Sequence, residues 1–410
     1  MVPILRAREA GVVAVLTSLM GAGPLLVYAY SVTGPLLIKE LGLSAVEFGL
    51  LTTTCYLGAG FGSMVMGHVS DSIATRIQLV MIFGGSATAF ALSAIPLFVM
   101  LLVASVISGI AQSMSNPATN RIVVDLAPRG RTGVWIGMKQ SGVQISQLTA
   151  GIVFPLLAVR AGWNAVAATS VILLLGLMAL SLRNTALRSG NLECHAPDAN
   201  RVMLALDAAN YTPSVSEDRL PFVVWICAVF AFFSGMGLAG TNAYLPLFAT
   251  QDMHFTIVGA GYTAIIAGGV GVLARIFWSS RMTRGGSPTG ILMTLAIGAL
   301  SGAAALGLAA RLASPALLWA GTVIHGATAL GVSVVTMGVV VRYVARAKVG
   351  RASGIVAVGM YFGFAAGPTI MGIFVDGAPN FEYAWIAMMV AYLLCALLVG
   401  LFALQRRNND

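Results

Sequence analysis

This sequence is poor in charge. Of 410 residues only 9% are Asp, Glu, Lys or Arg, against 58% hydrophobic, and the mean hydropathy is +0.90. A water-soluble domain carries about 25% charged residues. This chain could not cover a surface facing water with polar groups, so its solvent is lipid. Cysteine is also sparse. Cys55, Cys194, Cys227 and Cys395 are scattered with no CxxC pair, which argues against a disulfide framework or a thiolate metal centre. No GxxxxGK[ST] loop is present, so ATP-driven transport is not expected. Neither HExxH nor a Ser-His-Asp arrangement appears, and no metal-ligand cluster, so the expectation is no enzyme, no metal and no cofactor. The net charge of +9 does not imply a nucleic-acid partner; topology accounts for it.

The chain also lacks the ten-residue, period-two segments of an outer-membrane barrel. Its apolar runs are about twenty residues or longer, which makes the spans helical. Twelve runs can be delimited, near 11–37, 45–69, 77–96, 98–121, 132–158, 163–182, 220–249, 256–279, 288–310, 315–341, 353–376 and 382–404. Arg6 and Arg8 before the first run mimic a signal peptide. That run continues to about Ile38, beyond a signal core of roughly 7–15 residues, and reads as an uncleaved span. One long polar stretch, 183–219, holds Glu193, Asp198, Asp207, Glu217 and Asp218. It reads as a cytoplasmic linker between six-helix bundles at 1–182 and 220–410.

The positive-inside rule orients these spans. With both termini cytoplasmic, eighteen cations lie inside and three, Lys39, Arg160 and Arg311, outside. The remaining two, Lys139 and Arg275, fall within spans. The halves also repeat. Gly133, Gly142 and Gly151 match Gly354, Gly363 and Gly372 at a separation of 221, as Arg121 matches Arg342. Gly60 and Gly62 match Gly269 and Gly271 at 209, and Pro35-Leu36 matches Pro246-Leu247 at 211.

Twelve spans, a long central loop and two similar halves resemble the major facilitator superfamily. Its signature between the second and third helices, G-x-x-x-D followed by a basic turn, is matched at Gly67, Asp71 and Arg76. The chain departs from it at Ser72, Ala74 and Thr75. Gly67 would allow close helix approach, and Asp71 would pair with an arginine across a cytoplasmic gate, Arg121, Arg131 or one in the second half being candidates. The second-half counterpart carries Ser280 where an aspartate would sit. The resemblance implies an all-α membrane fold of two six-helix bundles related by a pseudo-two-fold axis. It also implies a central cavity lined by spans 1, 4, 7 and 10, with parts of 2, 5, 8 and 11.

That makes the polar residues within spans candidates. Lys139 lies eight residues beyond Arg131, about 12 Å along a helix. Arg275 is six residues before Arg281. Intramembrane cations are costly and function is their default reading; a structural role for Lys139 and a snorkelling role for Arg275 are the rivals. All fourteen acidic residues fall in loops or at span ends. The missing counter-charge therefore points to an anionic substrate, a carboxylate being simplest. Gln140, Gln144 and Gln147 form one helical stripe beside Lys139, which either lines the pathway or glues helices. Asn116 beside Pro117, Asn120, Tyr28, Tyr30, Asn242, Tyr244 and Tyr361 are candidate hydrogen-bonding residues. His325 is the neutral-pH titrator nearest mid-span, either hydrogen-bonded within the bundle or coupling protons.

The sequence thus predicts a monomeric, alternating-access secondary transporter of the inner membrane. It moves a small organic anion with Lys139 and Arg275 as charge partners, and protons or a counter-anion accompany it. Efflux of drugs or other hydrophobic compounds is the alternative, disfavoured because no carboxylate lies inside the spans. A membrane enzyme or receptor is a third, disfavoured by the absent catalytic cluster and the duplication.

Overall fold

A computed structural model describes residues 7–128, 131–184, 220–344, 348–378 and 380–409. The central linker therefore lies outside the described residues. Fourteen helices and no strand are found among those described. The first half contains α1 (Ala7–Ala22), α2 (Leu25–Leu41), α3 (Ala45–Ser72), α4 (Thr75–Ser93), α5 (Phe98–Leu126), α6 (Thr132–Gln140) and α7 (Gly142–Arg183). The second contains α8 (Phe222–Gln251), α9 (Ile257–Thr283), α10 (Pro288–Leu312), α11 (Pro315–Ala329), α12 (Val332–Tyr343), α13 (Val349–Asp376) and α14 (Glu382–Asn409).

Ten helical stretches are long and apolar enough to cross a membrane, and the bent pair α1–α2 makes an eleventh crossing. Gly162 divides the stretch from Val134 to Arg183, giving twelve. Its φ of 73° and ψ of −179° belong to a region open essentially to glycine alone, so the turn between spans 5 and 6 is written into that residue. The first and last described residues, Ala7 and Asn409, share one end of the bundle, the near end; the other is the far end.

Three of the spans are broken helices. Span 1 bends by 52° between α1 and α2, where Gly23 and Pro24 interrupt the ladder. Span 5 breaks at Ser141-Gly142, and span 10 at Leu330-Gly331, where the Gly331 amide tightens onto the Thr328 carbonyl. Glycine beside a small or flexible turn is a familiar cause of such kinks.

The repeat read from glycines has a packing basis. Gly142 rests on Thr17 of span 1, and Gly363 on Phe232 of span 7. A methyl added at either would overlap a backbone carbonyl oxygen. Gly151 of span 5 meets Gly261 of span 8, while Gly372 of span 11 meets Ala45 of span 2. Gly62 packs on Ser113 of span 4 and Gly271 on Leu330 at the span 10 break. These three pairs touch corresponding helices of their own or the opposite half, as a pseudo-two-fold axis requires, whereas Gly269 and Gly354 face open space. Small residues let backbones approach where lipid supplies no hydrophobic drive for association.

Candidate functional site

The two halves meet along two seams, span 2 on span 11 and span 5 on span 8. Helix α3 opens with a capping box in which Ser44 Oγ accepts from Glu47 N and Glu47 caps Ser44 N in return. The opposite half completes that helix end. Asp376, the last residue of α13, accepts from Ala45 N at 2.7 Å and Val46 N at 2.9 Å. The Tyr244 hydroxyl of span 7 donates to the Ala45 carbonyl. Deeper along this seam, Thr53 Oγ1 donates to Ala365 O at 2.7 Å and lies 2.7 Å from Thr369 Oγ1. Beside it, Ser31 of span 1 donates to the Asn242 and Ala243 carbonyls of span 7. These bonds all lie in the far half of the molecule, and they seal it.

Nearer the middle the seam becomes aromatic. Tyr56 packs on Phe364 with ring centroids 4.9 Å apart, and Tyr361 stands edge-on to Phe364 at 6.1 Å. Tyr56 lies within electrostatic reach of both Tyr28 and Tyr361.

Lys139, in the last turn of α6, is 1% exposed. Its Nζ donates to Thr119 Oγ1 at 2.9 Å and to Asn120 Oδ1, both on α5. The Thr119 hydroxyl passes its own proton to Ser115 O, so it can accept from the lysine. Gln140 Nε2 donates to Asn116 Oδ1 at 3.3 Å. The polar face of α6 is thus stitched to span 4 within one half. The Lys139 ammonium is buried against α5 of its own half in this conformation.

Arg275 is placed differently. Its Nη1 donates to Gln140 O at 3.1 Å, across to the first half, and its Nε to Leu330 O at 3.3 Å in the second. Both carbonyls stand where a helix stops, Gln140 at the end of α6 and Leu330 just beyond α11. Such carbonyls lack intrahelical partners and carry the negative end of a helix dipole. A guanidinium has five N–H donors, so three remain after these two bonds. Tyr28 of span 1 lies within electrostatic reach of the same guanidinium. By sequence, no carboxylate answers Lys139 or Arg275. Among the described residues none does, and neutral oxygens hold both.

One helical turn deeper, the Gln144 side chain is fully buried beside Gly271, and neither of its amide atoms has a hydrogen-bond partner among the described residues. The Gln147 oxygen is likewise unpartnered. An orphaned buried polar group costs roughly 1–3 kcal/mol, so Gln144 stands out. Asn242 offers its backbone carbonyl to Ser31. His325 does not join this group. Its Nε2 lies 2.7 Å from the Tyr392 hydroxyl between spans 10 and 12, 3% exposed, with span 9 close behind at Gly302.

At the near end, Arg121 Nη1 donates to the Ser70 and Ile73 carbonyls at 3.2 and 3.3 Å, holding the turn after α3. Gln78 takes hold of the same two carbonyls. Arg131 pairs with Glu9 at 2.8 Å and Arg76 is exposed. Gly67 and Asp71 lie on α3, and their side chains fall outside the described ones. Asp376, Thr53, Tyr56 and Gln78 are not singled out by the sequence, whereas Tyr244, a candidate hydrogen-bond donor, does donate across the seam. Asp376 was counted only as an acid at a span end, though its position after Gly372 on the repeat pointed to the seam.

These arrangements can be set beside known proteins. The family model described as Major Facilitator Superfamily matches residues 13–310. The chain is 28% identical over 393 residues to a probable nitrate/nitrite transporter, NarK2, of Mycobacterium tuberculosis, covering 90% of this chain and 91% of that one. A shorter match, 29% identical over 140 residues, spans 27% of a D-xylose-proton symporter-like 2 of Arabidopsis thaliana. In fold the chain is similar to the crystal structure of the nucleoside transporter NupG, with a TM-score of 0.71 at 16% identity over 95% of this chain and 98% of that one. Two six-helix bundles, glycine-packed seams and a match over most of the chain lead to one conclusion: this multi-pass membrane protein belongs to the major facilitator superfamily and is a transporter of small molecules.

Proposed function

We propose that the protein moves a small organic anion, a carboxylate being the simplest, across the inner membrane by alternating access. The observation that carries this reading is Arg275. It is a cation between the two halves, tied to two backbone carbonyls, with three N–H donors left and no carboxylate partner among the described residues. A charged hydrogen bond is worth about 1.5–3 kcal/mol, and an anion offers a better acceptor than a carbonyl. Tyr28, Gln140, Gln144, Asn116, Asn242 and Tyr361 are the polar residues assigned to the pathway. Lys139 supports the wall from behind rather than touching the solute. The excess of cations in the loops of one side orients both termini toward the cytoplasm. The protein works as a monomer of two bundles, 1–182 and 220–410, joined by the linker 183–219. Protons or a counter-anion balance the transported charge.

A second reading is favoured by the relative over 90% of the chain, whose name is that of a nitrate/nitrite transporter. On that reading the anion is a small inorganic oxyanion. Drug efflux stands behind both, since lipophilic cations would meet a cation at the seam. Counterflow in proteoliposomes separates the three. Labelled carboxylates should exchange faster than nitrate, and lipophilic cations should not exchange. Arg275→Gln should lower exchange at least tenfold, while Lys139→Met in folded protein should leave substrate selectivity unchanged. Undiminished anion exchange by Arg275→Gln would sink the proposal.

A further inference from the structure

Alternating access requires each end of the molecule to open in turn. The far end is closed here, and its closure has an unusual component. The first turn of α3 leaves amides without intrahelical partners, as every helix does. Ser44 satisfies the Glu47 amide locally, but the amides of Ala45 and Val46 are capped by a carboxylate from the other half, Asp376. One oxygen serves each amide, at 2.7 and 2.9 Å. The Ala45 carbonyl is taken by Tyr244, again from the other half. Gly49 and Gly372 make the approach possible. A methyl at Gly49 would come within 2.6 Å of Pro368 O, and one at Gly372 within 2.8 Å of Ala45 O.

We infer that Asp376 is the gate residue of the far end, and that its release from the Ala45 and Val46 amides is a step of the transport cycle. The chemistry suits a reversible gate. A carboxylate at a helix N-terminus gains from both the free amides and the dipole. All three groups sit at the end of their helices, with the Val46 bond exposed. When the halves part, water can take over each bond, so opening exchanges partners instead of stranding buried polar atoms. The deeper Thr53 pair has less access to water and makes a poorer switch.

The device is one-sided. At the separation of 221 that relates spans 5 and 11, Asp376 corresponds to Pro155, which offers no side-chain acceptor. The mate of α3 is α9, and it is capped by its own Thr256 at 3.0 Å from Gly259 N. The inference concerns the transport cycle and is independent of which solute is carried.

The test reads conformation directly. Spin labels replace Glu40 and Gln251, both exposed at the far end, in a chain whose four cysteines are substituted. In Asp376→Ala the far-end-open population should rise about tenfold, the loss of one or two charged hydrogen bonds. Asp376→Glu keeps the carboxylate and should restore most of the closed state. A second variant removes the amide instead. Ala45 is the first residue of α3, where proline is tolerated, and Ser44 before it is extended at ψ 164°. Ala45→Pro deletes one capped N–H with Asp376 intact, and should shift the population the same way by a smaller factor. It alone decides if Asp376→Ala does not fold. Far-end distances unchanged in folded Asp376→Ala, or in Ala45→Pro when that variant decides, overturn the inference.

Discussion

The seam of spans 2 and 11 and the seam of spans 5 and 8 are mates under the pseudo-two-fold axis, yet they are held by different chemistry. The first is a ladder of polar bonds: Asp376 on two amides, Tyr244 on a carbonyl, Thr53 on Ala365 and Thr369. The second is packed through glycine, with Gly151 on Gly261 and Gly268 on Gln144 and Leu148. One cation, Arg275, reaches across it to a carbonyl, and Gln144 is left with an unpartnered amide. Duplication preserved the glycine frame and the helix pairing. The polar groups diverged, one seam becoming a clasp and the other a place where charge and an unmet amide face the boundary between halves.

The sharpest way to break the comparison is to crowd the glycine seam. In Gly151→Val the new carbons would lie within 2.9 Å of the Gly261 carbonyl and of Ile265. Overpacking of this kind costs about 1–3 kcal/mol, and the halves would be held apart where they must slide. Transport should be abolished while the protein still inserts, as seen by helical content and a lowered Tm. Retained transport would mean that this seam does not close during the cycle.

Gln144 gives a smaller effect of opposite sign. If its amide serves only packing, Gln144→Leu removes an orphaned polar group and should raise stability by roughly 1–2 kcal/mol. On the proposed reading that gain comes with a loss of at least several-fold in anion exchange. Higher Tm with undiminished exchange would return Gln144 to the core and leave Arg275 to act alone.

How far these features were legible in the sequence follows from the physics of each. Span positions were, because twenty apolar residues in a row have one common meaning. The repeat was, because a glycine at a backbone contact tolerates no replacement, so Gly142 and Gly363 kept their register. The two intramembrane cations were found for the same reason, being costly wherever they sit. Their partners were not. Lys139 and Arg275 are answered by a threonine, an asparagine and two carbonyls, and neutral oxygens carry no signature that a charge census can detect. The break at Leu330-Gly331 that frees one of those carbonyls is a matter of backbone angles in an apolar run. Asp376 was visible as a carboxylate at a helix end, but its partners lie some 330 residues away on a different half.

The smallest predicted effect tests whether the polar ladder is a clasp along its whole length. Thr53→Val keeps the shape of the side chain and removes one hydroxyl, which donates to Ala365 O and meets Thr369 Oγ1. The threonine it leaves behind can turn its own hydroxyl to a backbone carbonyl of its helix, as Thr54 and Thr149 do. The net loss should therefore be about 0.5–1.5 kcal/mol, the worth of one neutral hydrogen bond. Measured by thermal melting, that is a modest fall in Tm. Exchange should change less than threefold, because the Asp376 cap still governs the far end. A transport defect in Thr53→Val as deep as that of Asp376→Ala would show that the seam opens as one unit, with no single gate at its rim.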